Sequence, residues 1–147
     1  MRVYLDNCCY NRPYDQPFQT RIVNEARAKM EIQLAIAEGR LDLVASHMLV
    51  AENTRCPNPM ARAYNLNFMH KYARTYVGYD RIQELAPLIG QIMATGIKRA
   101  DATHIACAID SGCDFLITTD DRMLRYKDGR ITIISPNDML YIMEGLR

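Results

Sequence analysis

Phe115-Leu116-Ile117-Thr118-Thr119-Asp120 is a short apolar run, rich in β-branched residues, that ends on an acid, and Val3-Tyr4-Leu5-Asp6 repeats the pattern near the start of the chain. Both runs have the length and the residue types of buried strands. Leu41 to Ala45 and Ile131 to Ser135 read as two more. Helical stretches lie between them: about Phe18 to Glu38, the segment with Met48, Leu49 and Glu52, Met60 to Tyr76, Asp80 to Thr95, Ala100 to Ser111, Arg122 to Tyr126 and Pro136 to Glu144. Gly39 and Gly112 are natural helix stops, Ser46 is placed to cap, and Pro87 must kink or split its helix. Asn7 to Pro17 is turn-rich. Strands alternating with helices predict an α/β fold with a mainly parallel sheet of four to five strands, covered on both faces.

Composition narrows the class. The 147 residues suit one domain spanning 1–147, and 49% apolar content supports a packed core. A net charge of +1 excludes a strongly basic coat for nucleic acid and leaves room for an enzyme that visits it. Five cysteines without a Cys-x-x-Cys pair point away from structural zinc and towards reduced thiols. Met1 leads directly into an apolar strand without signal-peptide character, and no apolar run approaches the roughly 20 residues of a membrane span, so a cytoplasmic protein is expected.

In a parallel sheet the C-terminal ends of all strands share one edge, and ligands bind outside it. Asp6 and Asp120 therefore meet on that edge by topology alone. Asp101 opens the helix Ala102 to Ser111, where the helix dipole by itself favours an acid. Glu52 closes a short helix and by itself reads as a solvated residue. Brought together, four carboxylates would raise one another's pKa, and a hard cation would relieve that repulsion. All-oxygen donors suit Mg²⁺ or Mn²⁺.

The segments Val3-Tyr4-Leu5-Asp6-Asn7, Ser46 through Glu52, Lys98-Arg99-Ala100-Asp101-Ala102-Thr103-His104-Ile105-Ala106 and Leu116-Ile117-Thr118-Thr119-Asp120 resemble, in order, the motifs of the PIN-domain family, over nearly the whole chain. The pair Asp101 and Asp120, nineteen residues apart, is the more specific part. The resemblance implies a three-layer α/β/α fold and a metal-dependent site that cleaves single-stranded RNA, often as the toxin of a VapC-like toxin–antitoxin pair. Asp6, Glu52, Asp101 and Asp120 fall on the family's four acidic positions. On this reading Asp6, Asp101 and Asp120 hold Mg²⁺ or Mn²⁺, and Glu52 is ligand or base. Asn7 stands where the family often has Thr or Ser, and the Asp6 to Asp15 loop is similar to that of a distinct subgroup.

Around these acids, Asn7, Thr118 and Asp121 are read as supporting residues, with Asp121 the expected cap of the helix at Arg122. Arg12, Arg99 and Arg122 are candidates to meet RNA phosphate. His104, one turn after Asp101, is expected to bond to that helix end. Met30, Met60, Met69, Tyr64, Tyr76 and Phe68 are expected in the core. By the family likeness their two helices could also present a groove to a small antitoxin protein, or a homodimer face. The alternative function is a PIN-like protein-binding module with weak or no nuclease activity. A dehalogenase-like phosphatase would need a second acid where Cys8 stands, and a phosphoacceptor receiver a Lys near Pro136, so neither fits.

Overall fold

A computed structural model describes residues 1–11 and 20–145. Its strands are β1 (Arg2–Leu5), β2 (Asp42–Ser46), β3 (Ala73–Val77), β4 (Phe115–Ile117) and β5 (Thr132–Ile134). Its helices are α1 (Asn7–Asn11), α2 (Thr20–Ala37), α3 (His47–Asn53), α4 (Pro59–Tyr72), α5 (Tyr79–Glu84), α6 (Ala86–Met93), α7 (Arg99–Asp110), α8 (Asp121–Arg125) and α9 (Pro136–Gly145).

All five strands pair in parallel, in the order β3-β2-β1-β4-β5. The chain winds outward from β1 through β2 to β3, then crosses back to β4 on the other side of β1. The winding direction thus reverses between β1 and β4, which is the switch point where open α/β sheets leave a crevice. Val3, Tyr4 and Leu5 pair with Phe115, Leu116 and Ile117, so Asp6 comes level with Thr118. The Asp6 N–H bond to the Ile117 carbonyl, 3.0 Å, locks this register.

The strands are almost wholly buried: Val3, Tyr4, Leu43, Val44 and Leu116 are each 0% exposed. Helices cover both faces, with α2 packed on α9 and α6 on α7. Helix α7 buries every side chain from Ala102 to Ala108. Gly112, at φ +68°, ends it, and the Cys113 N–H then bonds back to the Ala108 carbonyl at 3.0 Å. Ser46 caps α3 by accepting from the Leu49 N–H at 3.2 Å, as its position suggested.

Three expectations are corrected. Ala73–Val77 is a strand and not the end of a helix through Tyr76: the Thr75-Tyr76-Val77 run pairs with β2 and overrides the helical pattern before it. Asn7–Asn11 forms a helical turn inside the stretch read as turns, nucleated by the Asp6 side chain and carbonyl, which accept from the Asn7 and Cys9 N–H groups at 2.8 Å each. The Asp80 to Thr95 stretch is split in two, one of the two outcomes expected of Pro87, which sits in the first turn of the second helix. Of the apolar residues assigned to the core, Phe68 and Met69 are buried, while Met30, Met60, Tyr64 and Tyr76 are exposed.

Candidate metal and nuclease site

Three strand ends and one helix start build the site. Asp6 leaves β1, Thr118 and Asp120 leave β4, Glu52 is carried by α3 just after β2, and Asp101 sits in the first turn of α7. The Thr118 hydroxyl donates to Asp6 Oδ2 at 2.8 Å and accepts from the Asp120 N–H at 3.1 Å, so one side chain fixes both strand-end acids. Asp120 in turn accepts from the Arg122 N–H at 2.8 Å. It is therefore Asp120, and not Asp121, that caps α8; Asp121 is that helix's first residue. A cap must precede the helix it serves.

Asn7 bridges the other side. Its Nδ2 donates to the Leu49 carbonyl at 3.1 Å and to Glu52 Oε1 at 3.3 Å. Its Oδ1 is buried and has no hydrogen-bond partner among the described residues. An orphaned acceptor beside carboxylates calls for a cation or water bound to one. Cys8 also borders Asp6: its Sγ lies 3.6 Å from both Asp6 Oδ2 and Thr118 Oγ1 and accepts from the Thr119 N–H at 3.3 Å.

His104 does not bond to its helix end. Its Nε2 hydrogen-bonds Glu52 Oε1, and its Nδ1 lies 2.6 Å from the Tyr4 hydroxyl, itself 2.7 Å from Ser46 Oγ. The reason is its position on the buried face of α7, which turns the ring towards β1 and α3 and away from the preceding turn. Asp6, Glu52 and His104 present potential ligand atoms within 4.8 Å of one another. Both ring nitrogens of His104 are engaged, so it serves this group as a hydrogen-bond partner of Glu52 while the carboxylates remain the donors. Tyr4, Ser46 and His104 were missed as a connected set. The available signal was a His amid the apolar face of one helix and a Tyr between Val3 and Leu5 in a short strand.

The electrostatics follow the packing. Burial pushes the Asp101 carboxyl above its ordinary value, and the charges of Asp120 and Asp6 add to that, against Lys98 and His104. Asp101 thus senses both strand-end acids, although it and Asp120 stand outside the tightest group. Burial also works to raise Glu52, but hydrogen bonds from His104 and Asn7, with the Arg55 charge, hold it below the usual carboxylate range. For His104 burial disfavours the charged form; the Glu52 bond and the Asp6, Glu52 and Asp101 charges outweigh it and raise the pKa.

Oxygen donors, an orphaned amide oxygen and like charges on one sheet edge fit a hard divalent cation. Mg²⁺ keeps several of its waters, so carboxylates set a few ångströms apart can hold it partly through them. Arg99 opens α7 and Arg122 is the second residue of α8; both are exposed, and among the described residues they form no ion pair with the acids. Arg12 lies outside the described residues.

No family model and no curated protein matches the sequence. Solved structures do match the fold. One is a chain from the crystal structure of VapBC2 from Rickettsia felis bound to a DNA fragment from their promoter, 13% identical, with a TM-score of 0.56 over 92% of this chain and 98% of that one. Another is from the structure of FitAB bound to an IR36 DNA fragment, 17% identical, with a TM-score of 0.55 over 91% and 94%. Along with the five-stranded parallel sheet and its flanking helices, these likenesses show that the chain has the PIN-like α/β/α fold.

Proposed function

We propose that the chain is a Mg²⁺- or Mn²⁺-dependent endoribonuclease that cleaves single-stranded RNA phosphodiesters. The observation that carries this reading is Thr118, which ties Asp6 and Asp120 together at the switch point of the sheet while Asp101 senses both charges. Asp6, Asp101 and Asp120 are the residues to hold the ion, with Asn7 Oδ1 and Glu52 available to its waters. A divalent ion in such a place lowers the pKa of water and offsets charge building on a phosphate. The protein's own share is to orient: Thr118 and Asn7 fix the carboxylates, and the exposed Arg99 and Arg122, close in the chain to Asp101 and Asp120, are the candidates to meet phosphate. Arg12 remains a third candidate by its place in the sequence. Asp121 is an additional acid beside Asp120.

The test is cleavage of a mixed single-stranded RNA pool by purified protein with Mn²⁺, and with Asp6→Asn as control. Cleavage should require the metal and fall by about 100-fold or more in the variant, since losing even an outer partner of a metal ligand typically costs 10–100-fold. An Asp6→Asn protein that cuts like the wild type refutes the site.

A second reading has its own support. Met30 and Leu34 of α2 and Tyr64, Phe68 and Tyr72 of α4 line a cleft of about 290 Å³, and Met30 and Leu34 are half exposed. Such a cleft suits an apolar segment of a small antitoxin protein or a second copy of the chain, in line with the VapBC2 and FitAB likeness. A stoichiometric small partner that co-purifies, with no nuclease activity in the free or the bound form, would favour the binding-module function. Among the described residues no helix is long and apolar enough to cross a membrane.

A further inference from the structure

Buried polar side chains cost stability unless each is bonded, and apolar ones of similar size would fill the same space. Tyr4 and Ser46 are 0% exposed, and His104, on the buried face of α7, is 1% exposed. Their bonds make one continuous line. The Leu49 N–H can only donate, and it gives to Ser46 Oγ at 3.2 Å. At the far end the Glu52 carboxylate can only accept, and it takes from His104 Nε2. With a neutral imidazole the Ser46 hydroxyl donates to Tyr4 Oη and the Tyr4 hydroxyl to His104 Nδ1; with a protonated ring these two bonds reverse, and in both states Nε2–H donates to Glu52. The line starts at the N-cap of α3 and returns to the same helix at Glu52.

Its outlet is one oxygen. Glu52 Oε1 receives both His104 Nε2 and Asn7 Nδ2, which occupies its two lone pairs. Oε2 has no hydrogen-bond partner among the described residues, and the Glu52 side chain is 33% exposed. We propose that Tyr4 and His104 are positioning residues: the Ser46–Tyr4–His104 relay holds Oε1 so that Glu52 offers only Oε2, as a single oriented acceptor, to the water of a bound divalent ion. This deepens the ribonuclease reading and rests on it. Outer partners that fix a ligand's orientation in this way are worth about 10–100-fold in metal affinity or activity.

The experiment uses the whole chain, with Mn²⁺ binding followed by calorimetry, RNA cleavage resolved into kcat and KM, and a thermal melt for each protein. Tyr4→Phe and His104→Leu should each weaken Mn²⁺ binding and lower kcat by about tenfold or more, with KM for RNA unchanged. His104→Gln keeps an N–H to donate to Glu52 and should recover part of both. Met139→Ala, in the core on α9, controls for lost stability alone. The relay is overturned if Tyr4→Phe and His104→Leu match the wild type in Mn²⁺ affinity and kcat. It is equally overturned if Met139→Ala, with a similar loss of melting temperature, reproduces their defects, or if His104→Gln recovers nothing while melting like the wild type. A wild type that binds Mn²⁺ without cutting RNA breaks the nuclease reading and leaves Mn²⁺ affinity to decide the relay. A wild type that does neither removes both.

Discussion

Helices α7 and α2 both support the acid edge, and they break the inside–outside rule in opposite ways. Helix α7 buries Ala102, Ile105, Ala106 and Ala108 as a core helix should, and admits one polar ring, His104, because Tyr4 and Glu52 satisfy it. Helix α2 buries Glu25, Lys29 and Gln33 beside Ala28, Ile32 and Ala35, and leaves Met30 57% and Leu34 49% exposed. Its buried polar groups have work to do: Lys29 Nζ donates to the Cys8 carbonyl at 2.7 Å and Gln33 Nε2 to the Cys9 carbonyl at 3.3 Å. They hold the turn that follows Asp6. One helix thus buries apolar surface to form the core, and the other spends part of its inner face gripping the site's backbone.

The largest effect is expected at Ile105. This side chain is fully buried one residue after His104, and Ile105→Ala should cost about 2–5 kcal/mol in urea denaturation, as lost burial plus a cavity. A loss under 1 kcal/mol would mean that α7 is not the core helix described. The next effect is at Lys29. Lys29→Met keeps the length and removes the bond to the Cys8 carbonyl, a charge-assisted contact worth about 1.5–3 kcal/mol. A more stable Lys29→Met protein would show that α2's inner face is merely tolerated polarity.

These two helices also mark how far the sequence could be read. Asp6 and Asp120 were legible because strand ends in a parallel sheet must share an edge, whatever the helices do. Asp101 and Glu52 were legible only through the resemblance, since a helix dipole and a solvated face explain them equally well alone. In α2 Met30 was expected in the core, and it recurs with Ala26, Leu34 and Ala37 at helical spacing, yet Met30, Leu34 and Ala37 are exposed. A second apolar stripe, Ala28, Ile32, Ala35 and Ile36, runs beside it, and periodicity cannot choose between two. The contacts that decide, Lys29 and Gln33 on carbonyls more than twenty residues earlier, are long-range bonds from side chain to backbone that no local pattern encodes. The same holds for His104, whose partners Tyr4 and Glu52 are distant in the chain.

A smaller effect is expected at Thr118. Thr118→Val keeps the shape of a side chain that is 0% exposed but loses the hydroxyl shared by Asp6 and Asp120. Mn²⁺ affinity should fall about tenfold, equivalent to ~1.4 kcal/mol, with the fold intact. Unchanged affinity would mean that the two acids hold their places without it.

The smallest effect is expected on the outer face of α2. Met30→Ser combined with Leu34→Ser removes apolar groups that already meet water, and changes at such positions usually stay within about 0.5 kcal/mol each. The melt and the RNA cleavage rate of the double variant should match those of the wild type, while capture of any small partner seated between α2 and α4 should weaken. The two readouts separate the possibilities. A variant that melts several degrees lower without any partner present means that the stripe is covered within the chain or by a second copy, and dilution then distinguishes these, because only a dimer loses stability as its concentration falls. A variant that melts like the wild type but no longer holds its partner means that α2 faces two ways, its polar side fixing the turn after Asp6 and its apolar side reserved for association. Partner binding on that outer side would then reach the acid site through Lys29 and Gln33, the same helix that grips the Cys8 and Cys9 carbonyls.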